Sequence, residues 1–391
     1  MAIYVITISI FLVYLLAESY LHSKRLGRIQ LRISVSGTRG KTSIVRMLAS
    51  VCRMEGMNVL AKTTGSEASY ILPDGSEEKI GRHGVTSVIE QKRLIRKGAQ
   101  LGVDCIITET MSINPENRYA ESHMLVRPDL TILSNIRADH LDVVDDDPVE
   151  LSSLHLNDLC PGSKVFIPEG EINDFLRAGI GKSGSLLNTV EENYAVKLGV
   201  KSSIYGSMFK QNIDLVSAVA SSLSIGLDTI NEGLKAARMD VGAAAVYMFE
   251  YGLKRVYFVN SFAANDPFST MELVKMVLAS LSNNITSVYG YMSLRADRGE
   301  RSKQWLEFLS GSTEEPFKHI FFSGLHARIL KNRIRDSSII RSEDPAKITS
   351  VILSEIENNS VVFGLANIHG RGLKLVKYWR EKGIKIELDG I

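Results

Sequence analysis

The stretch Ser36-Gly37-Thr38-Arg39-Gly40-Lys41-Thr42-Ser43 narrows the fold more than any other part of the chain. It lies between an apolar run at 31–35 (LRISV) and the helix-like sequence IVRMLASVCRMEG. A strand, a glycine-rich turn and a helix in that order present backbone N–H groups and the positive end of a helix to a polyphosphate. In such a turn Lys41 reaches the β and γ phosphates and the Thr42 hydroxyl ligates magnesium. Gly37, Thr38, Gly40, Lys41, Thr42 and Ser43 are therefore the expected nucleotide contacts. The longer phosphate-loop pattern has a glycine where Val35 stands, so this is the shorter G-T-x-G-K-T form. An ordinary glycine turn is the bland alternative, but it does not account for glycines, lysine and hydroxyl all coinciding with the right flanking elements.

From Leu31 onward short β-rich runs alternate with helical stretches, as in an α/β fold whose parallel sheet is covered on both faces. Strands are expected at 31–35, 57–62, 103–108 and 129–134, and a second series at 255–260, 286–290, 319–323 and 360–364. With 391 residues, 45% of them apolar, the chain can fill two cores. The small-residue stretch Val241-Gly242-Ala243-Ala244-Ala245 is the expected seam. The expected domains are 1–24 as a membrane helix, 25–242 as the ATP-binding domain and 243–391 as a second, Rossmann-like α/β domain. Lys plus Arg number 46 against 44 Asp plus Glu, which leaves no electrostatic footprint for broad nucleic-acid binding. Cys52, Cys105 and Cys160 are far apart in sequence, so reduced thiols in a cytosolic body are the simplest reading.

Met1 to Ala17 carry no charge and as a helix would be about 25 Å long, near the lower limit for crossing a hydrocarbon core. No basic segment precedes this run and no clear A-x-A site follows it, so it does not read as a cleaved signal. Lys24, Arg25, Arg28 and Arg32 come next, and the positive-inside bias puts the rest of the chain in the cytoplasm. An apolar helix packed in an oligomer is the alternative.

Glu109 ends one apolar strand, and Asn135-Ile136-Arg137-Ala138-Asp139-His140 follows another. Ligands of open α/β sheets collect outside the carboxyl ends of strands, so Lys41, Glu109 and His140 are expected to converge on one crevice. Glu109 reads either as a ligand of Mg²⁺ or as a strand-end ion-pair partner. An imidazole is an unusual partner for magnesium, so His140 suggests a second divalent ion, Mg²⁺ or Mn²⁺. The run Asp145-Asp146-Asp147 reads as a solvated loop before metal binding. In the second series, Asn265 and Asp266 suit a turn and helix cap or a ligand contact. Arg295, Asp297, Arg298 and Arg301 suit either a charged helix start or the neutralisation of phosphate. His369 reads first as a loop histidine and Met111 as a packing residue. Arg82, His83 and Arg118 are either carboxylate binders or ordinary surface residues.

GTRGKTS followed by NIRADHLD resembles the ATP-dependent amide ligases of the Mur and folylpolyglutamate synthase superfamily. KTTGSEASYILPDGSE, GRHGVTSVIEQ, ETMSINPEN, VNSFAANDPFST, LRADRGERSKQW and GLANIHGRGLKLVKYW resemble the ligase subunit of poly-γ-glutamate synthases, the CapB/PgsB type, over nearly the whole chain. The resemblance implies Lys41 and Thr42 on ATP and metal, with Glu109 and His140 as metal ligands. It also implies the Asn265-Asp266-Pro267 turn and the Asp297-Arg298 pair on the nucleotide. Many Mur-type ligases carry a carbamylated lysine soon after the histidine motif, whereas here the next lysine is Lys164 and His155 stands between. The few, mostly apolar residues ahead of the phosphate loop leave no room for a UDP-sugar domain.

The function expected on these grounds is ATP-dependent coupling of a glutamate γ-carboxylate to the amine of another glutamate, with Lys41, Glu109, His140 and Arg298 as catalytic residues. The expected partners are glutamate, the growing polymer, the membrane and small membrane subunits of an export complex, with a homo-oligomer left open. The alternatives are another polyglutamylating ligase and a membrane-anchored ATPase switch.

Overall fold

The computed structural model describes residues 2–65, 67–81, 87–136, 148–202, 204, 210–240, 244–264, 266–281, 285–311 and 316–386. The chain divides into two compact units, 1–200 with 210–238 and 201–209 with 239–391. The expected seam begins at Val241, Gly242 and Ala243, which lie outside the described residues.

The first unit holds β1 (Leu31–Ser36), β2 (Val59–Thr63), β3 (Ser69–Ile71), β4 (Glu77–Lys79), β5 (Cys105–Glu109), β6 (Leu130–Leu133), β7 (Lys164–Pro168) and β8 (Leu186–Val190). They form one sheet in the order β4-β3-β2-β5-β1-β6-β7-β8. β1 is parallel to both β5 and β6, and only the β2-β3-β4 edge is antiparallel. Every residue of β2 and β5 is buried, as expected of central parallel strands covered on both faces, which read as continuous apolar runs. β4 is fully exposed Glu-Glu-Lys, so no apolar pattern marks it in the sequence.

Helix α2 (Lys41–Met54) leaves the glycine turn and is buried from Ile44 to Cys52. On its outer side the helix Leu227–Ala236 crosses it at Gly233, where a Cβ would lie 2.5 Å from the Val51 Cα. Buried Arg46 of α2 makes a two-pronged bond to Glu77, 2.7 and 2.9 Å, which ties the antiparallel edge to the central helix. The helix α1 spans Ala2–Leu26 without a break, and only its last turns, at His22 and Leu26, are buried.

The second unit holds β9 (Ala245–Tyr251), β10 (Lys254–Asn260), β11 (Ser287–Leu294), β12 (Phe317–Gly324), β13 (Ser337–Ile339), β14 (Ser360–Ala366) and β15 (Ile384–Ile386), in the order β13-β12-β11-β14-β10-β9-β15. Its five strands from β13 to β10 run parallel, and β9 and β15 add an antiparallel edge. A core lies on each face, one around Trp305, Phe322 and Phe363, the other around Trp379, Phe258 and Phe262. Both units are therefore α/β.

Gly233→Ala tests this close helix–helix approach. Alanine normally gains about 0.5–1 kcal/mol over glycine inside a helix. Here the added methyl meets Val51 backbone, and a net loss of about 1–3 kcal/mol is expected in denaturant unfolding of this unit.

Candidate functional site

β1 delivers its last residues, Val35 and Ser36, to the middle of the sheet, and the turn that follows needs two left-handed residues, Gly37 at φ 113° and Gly40 at φ 84°. Neither can carry a side chain. A Cβ on Gly37 would meet Ser134 Oγ at 2.3 Å, and one on Gly40 would meet Asn212 Oδ1 at 2.6 Å. The residues just past β6 hold the turn. Thr38 N donates to the Asn135 carbonyl at 3.0 Å, Arg39 N to Asn135 Oδ1 at 2.9 Å, and Ser134 Oγ to the Arg39 carbonyl at 2.5 Å. Lys41 opens α2, and its ammonium folds back onto the Gly37 and Thr38 carbonyls. Thr42 and Ser43 follow in the first turn of the helix, so the six expected loop residues form one contiguous cradle.

Glu109 is the register partner of Val35 on the neighbouring strand, and Thr110 N donates to the Val35 carbonyl at 2.9 Å. The carboxylate therefore ends its strand beside the mouth of the glycine turn. It is buried, at 2% exposure; Oε2 accepts from Thr64 Oγ1 at 2.6 Å, and Oε1 has no hydrogen-bond partner among the described residues. A buried anionic oxygen left open in this way suits a hard cation. No group of three or more His, Cys, Asp or Glu side chains able to hold a metal forms among the described residues. His140, Asn265, Arg82, His83 and the Asp145-Asp146-Asp147 run lie outside them.

Several buried polar residues around the turn were not singled out by sequence. Glu121 accepts from Met111 N, Ser112 N, Ser112 Oγ and Gln91 Nε2, fixing the backbone just beyond Glu109. Lys62, fully buried on β2, pairs with Glu90 at 3.2 Å. Burial lowers the Lys62 pKa, and the Glu90, Glu121 and Glu109 charges oppose that shift. Directly below the turn, Ser36 Oγ donates to Asp158 Oδ2, and Arg118 Nη1 donates to the same oxygen, both at 2.5 Å. Arg118 is thus not a surface residue but half of a buried ion pair. It also faces His155 Nδ1 at 3.0 Å. Burial, with help from Arg118, lowers the His155 pKa against the pull of Asp158. Burial pushes the Asp158 carboxyl up, but Arg118, His155 and Ser36 outweigh it and hold it below the ordinary range. The sequence signs of this cluster are Arg118, read as a carboxylate binder or a surface residue, and a histidine and an aspartate three residues apart at 155 and 158.

In the second unit the carboxyl ends of β11, β12 and β13 and the segment 369–371 after β14 border a cavity of about 570 Å³, with Arg295, Asp297, Arg341, His369 and Arg371 among its lining. Asp297 is exposed and paired with Arg295 at 2.6 Å. Arg298 is exposed on the same turn, outside that lining. Arg301 donates to Asn367 Oδ1 at 2.6 Å. Asp266 caps the helix Pro267–Ser280 by accepting from Ser269 N at 2.8 Å, the structural role open to it from sequence.

Residues 35–147 match the model of the Mur ligase middle domain, and residues 246–382 match that of the poly-gamma-glutamate synthase CapB C-terminal domain. The chain is 24% identical to PGA synthase CapB of Bacillus subtilis over 394 residues, covering 97% of this chain and 98% of the relative. It is 26% identical to the capsule biosynthesis protein CapB of Bacillus anthracis, covering 95% and 81%. The chain is similar to CapB-type proteins over nearly its whole length, and its phosphate-loop region is similar to the Mur ligase middle domain. Among solved structures, a bifunctional folylpolyglutamate synthase/dihydrofolate synthase from Yersinia pestis, complexed with AMPPNP and Mn ion, matches with a TM-score of 0.70 at 13% identity over 93% of each chain. MurF from Acinetobacter baumannii matches with a TM-score of 0.62 at 15% identity, over 93% of this chain and 80% of that one. These two likenesses speak to the fold. The chain has the two α/β units and the glycine turn that its sequence announces.

Arg118→Met would leave Asp158 a buried, unpaired carboxylate and is expected to destabilise the first unit by about 3–5 kcal/mol. The pH dependence follows from the two lowered values. Neutral His155 contributes stability that is present above the unfolded value of about 6.5 and is lost as pH falls below it. Asp158 contributes stability that is lost at lower pH still, through its depressed folded value. Denaturant unfolding of His155→Gln from pH 8 to pH 2 is expected to lack the first of these losses and keep the second, which falls below pH 4.

Proposed function

We propose that this chain uses ATP to activate the γ-carboxylate of glutamate and couples it to the amine of another glutamate, building poly-γ-glutamate. The observation that carries the reading is the glycine turn of β1 and α2 with the half-satisfied, buried Glu109 carboxylate on the adjacent strand end. The CapB-type relatives support the choice of glutamate.

Amide formation from a carboxylate in water is uphill, so the acid must first become a better electrophile. A carboxylate oxygen attacks the γ-phosphorus, the bond from that phosphorus to the ADP oxygen breaks, and an acyl phosphate and ADP result. The amine nitrogen of the second glutamate then attacks the acyl carbon. It loses a proton as the carbon–oxygen bond to phosphate breaks, leaving an amide and inorganic phosphate. The backbone N–H groups of the turn and the Lys41 ammonium balance charge on the phosphates, Lys41 exchanging its carbonyl bonds for phosphate oxygens. Glu109 and Thr42, joined by His140 from outside the described residues, would hold Mg²⁺ or Mn²⁺, which when bound supplies charge neutralisation at the reacting oxygens. In the second unit Asn265, Asp297 and Arg298 are assigned to the nucleotide. α1 is assigned as a membrane anchor with the catalytic units in the cytoplasm: it is 25 residues long, with mean hydropathy 2.0 and no part of its apolar window buried. Small membrane subunits and a homo-oligomer belong to the same proposal.

The fold-level likeness to folylpolyglutamate synthases supports a second reading, polyglutamylation of a different acceptor. Purified chain supplied with ATP, Mg²⁺ or Mn²⁺ and labelled glutamate separates the two. ADP released in step with glutamate incorporated into γ-linked oligomer is expected, and glutamate-independent ATP hydrolysis would refute the ligase. Lys41→Ala is expected to lower ADP release about 10²–10³-fold, whereas Arg298→Ala is expected to raise the KM for ATP.

A further inference from the structure

α1 joins the first unit without a linker. Glu18 pairs with Lys92 in helix α3 (Ile89–Leu101), His22 Nε2 donates to the Leu125 carbonyl at 2.9 Å, and Leu26 packs in one cluster with Leu94 and Ile95. The helix is therefore fixed to the unit over its last two turns, and the direction in which its apolar part leaves the unit is set. About 7–8 Å of helix separates Ala17, the last residue of the uncharged run, from His22. That is no more than a Debye length at physiological salt. Around this docking point Arg25, Lys92 and Arg127 lie close enough to act electrostatically on His22. Lys24, Arg93 and Arg127 are exposed. Two large apolar side chains stand out beside them: Ile89, one turn before Lys92, at 55% exposure, and Met124, next to Leu125, at 58%.

We propose that the start of α3 and the turn at 123–127 form, with the docked end of α1, a face that lies on anionic phospholipid headgroups. Arg93 and Arg127 meet the phosphates, and Ile89 and Met124 enter the interfacial layer. This rests on α1 crossing the bilayer, and it adds that the catalytic unit is held down on the membrane in one orientation rather than tethered loosely. A helix continuous with the span leaves this ring of cations no route away from the headgroup layer, and anionic lipid complements its charge.

Cys52, Cys105 and Cys160 are all buried, so a thiol-reactive fluorophore on Met124→Cys labels one site. A second labelled variant, Leu186→Cys, reports from the exposed first residue of β8, the edge strand on the side of the sheet away from β2, β3 and β5, against which α3 packs. The full chain is placed in nanodiscs of phosphatidylcholine with and without phosphatidylglycerol, each with quencher-labelled headgroups, and insertion is read by co-migration with lipid in a density gradient. Quenching of the 124 label, and not of the 186 label, is expected with phosphatidylglycerol. Adding Arg93→Glu or Arg127→Glu to the 124 variant is expected to shrink the quenched population at least ~5-fold. If the chain inserts and the 124 label is not quenched, the headgroup face is overturned while the anchor stands. Quenching that ignores both phosphatidylglycerol and the charge reversals overturns recognition of anionic lipid. A chain that fails to migrate with lipid overturns the anchor and the face together.

Discussion

Ser134 and Asn135, at the carboxyl end of β6, clasp the backbone of Thr38 and Arg39 with at least three hydrogen bonds, and the geometry of the whole site depends on that clasp. It spans two adjacent parallel strands, so the turn after β1 is anchored to the sheet and not only to α2. The clasp leaves no room for side chains on Gly37 or Gly40, whose left-handed backbones would be strained with any other residue. What remains is a shell of backbone donors at the head of a buried helix, a shape that suits phosphate because the donors need no rearrangement to receive charge.

The layer beneath the turn carries its electrostatic burden. Arg118 and Asp158 are both sequestered from water, a costly arrangement that persists only where hydrogen bonds complete it. Ser36 and His155 complete it in part, and Ser36 is the residue immediately before Gly37. The cluster therefore joins the stability of the first unit to the position of the loop. Lys41 acts on His155 electrostatically, so the loop and the layer beneath it sense each other's charge.

The central strands and the phosphate turn were legible in the sequence because each depends on local pattern: apolar runs that end in a glycine turn, followed by a helix. In the second unit β10, β11, β12 and β14 followed from the same signal, whereas the inner antiparallel strand β9 and the edge strand β13 were not expected. Edge strands were not legible. β4 is Glu-Glu-Lys and β15 is Ile-Lys-Ile, and both owe their conformation to a neighbouring strand. Glu109 was legible because it ends an apolar strand, whereas Glu121, Lys62 and Asp158 acquire their roles from partners distant in sequence. Arg118 shows the same limit, since a lone arginine after Asn114-Pro115 reads as surface until Asp158 is placed against it. Asp266 carried two readings, and the hydrogen bond to Ser269 makes it a helix cap.

Activation of a carboxylate by phosphoryl transfer leaves a mark that hydrolysis of ATP alone cannot imitate. Glutamate labelled with ¹⁸O in its γ-carboxylate, turned over with ATP by the purified chain, should yield inorganic phosphate carrying one ¹⁸O for each amide bond formed. Phosphate free of the label, with γ-linked product accumulating, would contradict an acyl phosphate made in this pocket.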